Sequence, residues 1–201
     1  MLNQLQSQPD PDEEIPESEK VSKRSSCFGY IVDTIETVLL ALVIFLAINA
    51  LSARVRVENI SMRPTLEPGQ FLLVNRVAYK LGEPKIGDIV VFHAPGVSDE
   101  DYIKRVIGLP GDVVQVADGI VYVNSQPLYE PYIADTPNYT GTWTVPENEY
   151  FVLGDNRNNS SDSHLWGYIP ADDIVGRALL IYWPMDQISL LRVQDVVKAV
   201  Q

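Results

Sequence analysis

The chain has 201 residues, a net charge of −12 and 46% hydrophobic residues. That length allows one or two domains, the apolar content excludes a disordered chain, and the acidic balance argues against nucleic acid as a partner. The single cysteine, Cys27, excludes an intramolecular disulfide and a Cys-ligated metal cluster. Two histidines, His93 and His164, with no HExxH spacing, give no metal or other cofactor to expect, although composition leaves a mixed His/carboxylate site open.

The first 26 residues are polar, acidic and proline-containing, and residues 1–30 are expected to form a disordered tail. Residues 31–53 follow as a candidate transmembrane helix, with Val38 to Ile48 unbroken apolar. A membrane anchor competes here with a cleaved signal peptide and with a buried core helix. Lys20, Lys23 and Arg24 resemble the n-region of a signal peptide, and Ala50-Leu51-Ser52 resembles a small-residue cleavage site. The apolar run is longer than the usual h-region of about 7 to 15 residues, which favours the anchor. Flanking charge does not orient it, because Lys20, Lys23 and Arg24 precede the span while Arg54, Arg56 and Arg63 follow it.

From residue 54 to 201 short β-branched runs alternate with Gly, Pro and Asp turns: VRVEN, QFLLVNRV, DIVVFHA, DVVQVADGIVYVN, YFVLG, IVGRALLIYW. The expected fold is mostly β, with antiparallel sheets in one β-rich domain on a membrane stalk. Asp118-Gly119 marks a two-residue hairpin turn. Leu128 to Thr144, rich in Tyr, Pro and Thr, reads as an irregular connection, and Ile188 to Val200 has the period of a terminal helix.

Three segments carry residues capable of chemistry. In ENISMRPTLEPGQ, Ser61 lies in a turn bounded by Pro64, and the serine is either a loop residue or a nucleophile. A nucleophilic serine needs a base. Of the four lysines after the span, Lys104 alone sits among β-branched and aromatic residues, in DYIKRVIGL. It is either the protective lysine of an edge strand or a buried amine. Burial disfavours the charged form, and bringing a lysine from about 10.4 to 7–8 takes roughly 3–4 kcal/mol of differential solvation. The third segment, GDNRNNSSDSHLWG, crowds Asp155, Arg157, Asp162 and His164 together, either as a polar turn or as a buried network that holds other groups in place.

With these segments in this order after an anchor, the chain resembles the bacterial type I signal peptidases, membrane-bound Ser-Lys peptidases. SMRPTL resembles their nucleophile box, YIKRVIGLPGD their lysine box, and GDNRNNSSDSHLWG their third signature. The resemblance implies removal of signal peptides from exported precursor proteins, with membrane lipid as the other partner. It implies Ser61 as nucleophile, Lys104 as general base and Ser160 as a hydroxyl orienting the lysine. Asp155 and Arg157 become structural supports, and Asp162 pairs with His164, where the family commonly has Arg. Asn59 stands where a serine often donates to the oxyanion, and the Ser61 backbone N–H is the second donor. Met62, Leu66, Tyr102 and Ile103 are candidate walls of the substrate pocket. The tail is expected on the cytoplasmic side and the domain on the trans side of a bacterial plasma membrane or a thylakoid-type membrane. Two other readings stay open: a His-based hydrolase using Ser61, His164 and Asp162 or Asp155, and a tethered β domain that only binds. A cysteine enzyme fails, because Cys27 precedes the span.

Overall fold

The computed structural model describes residues 22–96 and 100–191. The expected tail therefore lies outside the described residues as far as residue 21, and so does the expected terminal helix beyond residue 191. The chain divides into two units, Met1–Ala47 and Ile48–Gln201.

The helix α1 runs Ser22–Leu51 and thus takes in the last residues expected of the tail. Its apolar window, Gly29–Leu51, has 23 residues and none of it is buried within the protein. At 1.5 Å per residue it is about 34 Å long, enough for a hydrocarbon layer of about 30 Å. Apolar side chains point outward all round, Ile35 and Val38 each 62% exposed. A helix of that kind needs an apolar solvent, which removes the core-helix reading.

The second unit is built from strands. In chain order they are β1 (Ser52–Arg56), β2 (Phe71–Asn75), β3 (Ile89–His93), β4 (Asp101–Gly108), β5 (Val113–Ala117), β6 (Ile120–Val123), β7 (Gln126–Pro127), β8 (Gly141–Thr144), β9 (Glu149–Leu153), β10 (Ile169–Pro170), β11 (Ile174–Trp183) and β12 (Ser189–Leu190). A four-residue helix, α2 (Ser163–Trp166), lies between β9 and β10. Ser52 and Ala53, expected in the anchor, instead pair with Asn75 and Val74, because the chain enters the sheet as soon as the apolar run ends. Residues Ser189 and Leu190 form a strand on β11 where the period suggested helix.

The larger sheet has the order β1-β2-β11-β3-β4-β9-β10, with β12 on β11, and its strands pair antiparallel. The smaller sheet has the order β7-β6-β5-β8. Its β5–β6 hairpin turns through Asp118 and Gly119 at φ 52° and 76°, as the type I′ geometry of an Asp-Gly turn requires. Alternation along β3 divides the interior of the large sheet. Ile89 and Val91 join Val57, Met62, Leu66, Leu72 and Val74 on one face, while Val90 and Phe92 join Val106, Tyr150 and Val152 on the other. A third cluster, including Ile107, Val114, Phe151 and Leu153, fills the space between the two sheets.

Candidate active site

β4 is an interior strand, between β3 and β9. The lysine of DYIKRVIGL is therefore not an edge protector, and Lys104 is 4% exposed. Arg105, on the opposite face, is 2% exposed, so both faces of the strand bury a cation where one was expected. Pairing with β9 begins only at Arg105, which leaves the edge of Asp101–Lys104 toward β9 unpaired. Among the described residues the outer edge of β1 is unpaired as well. These two free edges line one cleft of about 830 Å³, bounded by Arg54–Met62, by Glu100–Lys104, and by Asn159 and Ser161.

Ser61 sits at the floor of this cleft. Its turn is fixed from below by Met62 and Leu66, 1% and 0% exposed, with Leu66 N–H donating to the Met62 carbonyl at 2.9 Å. The Arg63–Pro64 peptide bond is cis. Lys104 Nζ and Ser61 Oγ are hydrogen-bonded at 2.9 Å. Burial pulls the Lys104 amine down to about 8, against the opposing pull of the Asp162 and Asp155 carboxylates. The lysine is thus held near neutrality within reach of a hydroxyl.

The third segment packs against the serine turn. The Asn156 N–H donates to the Ser61 carbonyl at 3.0 Å, and Asn156 Nδ2 to the Ile60 carbonyl at 3.1 Å. Gly154 makes this approach possible, because a Cβ there would lie 2.5 Å from the Ser61 carbonyl oxygen and collide with Ser160 Oγ. The Gly154 N–H donates to Asp162 Oδ2 at 2.9 Å, and the Gly154 carbonyl accepts from Arg157 Nε at 3.1 Å. Asp162 also caps α2 and meets His164 Nδ1 at 2.6 Å. The His164 ring stacks on Tyr139, with centroids 4.0 Å apart and planes 8° apart. Among the described residues no hydrogen bond joins His164 to Ser61, whose hydroxyl is engaged by Lys104.

Two buried ion pairs complete the support, and neither joins Asp155 to Arg157. Asp155 binds Arg105 through both oxygens, at 2.8 and 2.6 Å, and also accepts from Thr65 Oγ1. Arg157 binds Glu130 through both guanidinium Nη atoms, at 2.8 and 2.6 Å. Arg105 also lies 3.9 Å over the Tyr132 ring. Glu130, Tyr132 and Tyr139 all belong to the connection that the sequence marked only as irregular. No local pattern announces a carboxylate that pairs 27 positions away, and Arg105, beside Lys104 in the same strand, was not singled out as its counterpart.

The remaining expected residues divide. Asn59 is exposed on the cleft wall and its amide makes no hydrogen bond among the described residues. Ser160 Oγ is buried against Gly154 and has no hydrogen-bond partner among the described residues, Lys104 included. Tyr102 and Ile103 line the cleft, with Met62 at its base. Leu66 does not line it, because the turn directs this side chain wholly into the core. Among the described residues, no group of His, Cys, Asp or Glu is placed to hold a metal ion.

The family model for signal peptidase, peptidase S26, matches residues 31–183. Signal peptidase I of Leptolyngbya laminosa is 40% identical over 191 residues, covering 90% of this chain and 94% of its own. Probable signal peptidase I-1 of Synechocystis sp. is 43% identical over 168 residues, covering 79% and 86%. Thylakoidal processing peptidase 1 of Arabidopsis thaliana, a chloroplastic protein, is 37% identical over 152 residues, covering 70% of this chain and 45% of its own. With the β-rich fold and the apolar helix, these similarities define the class: a membrane-anchored serine endopeptidase. More particularly, the chain belongs to the signal peptidase family, peptidase S26, and its activity is the removal of signal peptides.

Proposed function

We propose that Ser61 and Lys104 carry the hydrolysis as a nucleophile–base pair, acting on signal-peptide-bearing precursors at the trans face of the membrane. The observation that carries this reading is the 2.9 Å hydrogen bond between Lys104 Nζ and Ser61 Oγ inside a buried pocket. A neutral amine accepts the hydroxyl proton as Ser61 Oγ attacks the scissile carbonyl. The resulting ammonium, held by the Asp162 and Asp155 fields, then protonates the leaving amine. The Ser61 backbone N–H and the Asn59 amide stabilise the oxyanion. Water attacks the acyl-enzyme by the same proton path. The precursor enters extended, as a strand added to the free edges of β1 and β4, with alternate side chains read by Tyr102, Ile103 and Ile60 on the cleft walls. The tail lies on the cytoplasmic side.

Cleavage of a purified precursor by single variants tests the pair. Lys104→Ala is expected to lose turnover as fully as Ser61→Ala, because members of one proton-transfer unit are not additive. Lys104→Arg is expected to be inactive as well, since a guanidinium stays protonated. His164→Ala is expected to retain measurable cleavage. Robust turnover by Lys104→Ala with a dead His164→Ala would give the reaction to a histidine base.

A further inference from the structure

The turn between β2 and β3, residues 76–88, lines no part of the cleft. It leaves the sheet where the chain enters it. The Arg76 N–H donates to the Leu51 carbonyl at 3.1 Å, and Leu51 is the residue that closes the apolar window. Leu81 is five residues further on, so its backbone lies within about 17 Å of Arg76.

The base of the turn is buried and fixed. Asp88, 2% exposed, accepts from the Tyr79 hydroxyl and from the Lys85 N–H, each at 3.0 Å, and Arg177 Nη1 lies 3.5 Å from its other oxygen. Pro84 is buried beside them. The tip is therefore held outward. Leu81 is 87% exposed, the highest value among the exposed large apolar side chains of the described residues. Arg76, Lys80 and Lys85 are exposed on the same turn, against one exposed acid, Glu83, in a chain of net charge −12.

An exposed apolar side chain on a turn that also exposes three cations suits a surface whose outer layer is anionic and whose interior is apolar, and a bilayer has both. A fixed turn loses little conformational freedom on docking. Proximity to the end of the apolar window selects the membrane over a soluble partner. We infer that the Lys80–Leu81 tip is a lipid-docking element: Leu81 enters the headgroup layer of the membrane that holds the anchor, while Arg76, Lys80 and Lys85 take anionic headgroups. This rests on membrane anchoring and is independent of the Ser61–Lys104 assignment.

The test uses the full chain with Cys27→Ser, carrying Leu81→Cys labelled with an environment-sensitive fluorophore. The protein is reconstituted in phosphatidylcholine vesicles with or without phosphatidylglycerol, and nitroxide-labelled lipid is the quencher. Quenching is expected at position 81, stronger with phosphatidylglycerol, and absent at an Ile120→Cys label on the smaller sheet. Charge reversal in Lys80→Glu/Lys85→Glu is expected to lower the docked fraction by about fivefold or more per lysine, the effect of one basic residue near an anionic surface. Hydrogen exchange over residues 76–85 of the unlabelled chain gives a second reading, with protection expected only in the anionic vesicles. Equal quenching at positions 81 and 120, or quenching indifferent to phosphatidylglycerol, would overturn the assignment. So would shielding seen only in native membranes, which would give the tip to a protein partner. Cleavage of a soluble peptide in detergent is expected to be the same with and without the charge reversals, so a failed docking and a failed catalytic assignment register separately.

Discussion

Lys104 links protonation to both rate and stability. Its amine is drawn down to about 8 by burial, so the neutral form that the proposed base role requires accumulates as pH rises through that value. The kcat/KM for a soluble peptide is accordingly expected to climb to a plateau above pH 8; a rise centred near 6.5 would point to a histidine instead. The sign for stability is the reverse of an ordinary ion pair. The unfolded chain holds this proton up to about pH 10.4, so burying the lysine costs roughly 3 kcal/mol near neutrality, and the cost fades as pH approaches that value. Lys104→Met should therefore raise the melting temperature of the detergent-solubilised chain at pH 7 and gain much less at pH 10, with cleavage lost at both. At this scale the sequence was informative for a physical reason. A serine before a proline turn and a lysine in an apolar strand are local anomalies, whereas Glu130 and Tyr139 are ordinary residues until the fold brings Arg157 and His164 to them.

Among elements, β4 and the segment 154–164 form one device. β4 carries Lys104 toward the cleft and Arg105 toward Asp155, so a single strand supplies the proposed base and fixes the loop opposite it. The β character and the Asp-Gly hairpin were readable from periodicity and turn chemistry. That β4 is interior was not, because a lysine in a strand has the same local signature at an edge as in a buried pocket, and only the strand order distinguishes them. Removing Asp155 leaves a buried guanidinium unpaired. Asp155→Ala is expected to cost about 3–5 kcal/mol by thermal or denaturant unfolding, while the double change Arg105→Met/Asp155→Leu costs far less. A loss in the double variant equal to the sum of those in Arg105→Met and Asp155→Leu would show that the pair is not a unit. Gly154→Ala places a methyl against the Ser61 carbonyl. It is expected to destabilise by about 1–3 kcal/mol and to lower kcat more than it raises KM, because the nucleophile turn must move. Unchanged kcat would mean that the turn tolerates the shift.

For the molecule as a whole, holding enzyme and precursor in one membrane is expected to act as a raised local concentration. Deleting residues 1–51, up to the start of β1, is expected to leave peptide hydrolysis intact and to slow cleavage of bilayer-inserted precursors; equal rates for full and truncated chains on such precursors would remove the tethering effect. Protease added to the cytoplasmic side of sealed vesicles should trim the tail and spare the β domain. A β domain digested from that side would reverse the proposed orientation. The two free edges of the cleft have a further consequence, for what the enzyme leaves intact. A strand-shaped vacancy accepts only a backbone with no hydrogen-bond partners of its own, so compact proteins are invisible to it however many suitable sequences their surfaces display. A cleavage sequence grafted into a folded loop should then be cut at a rate set by the free energy of locally unfolding that loop. On the proposed strand-addition mode the finished cargo and the enzyme's own surface should share this immunity, so that fidelity would rest on the timing of folding as much as on the residues flanking the bond.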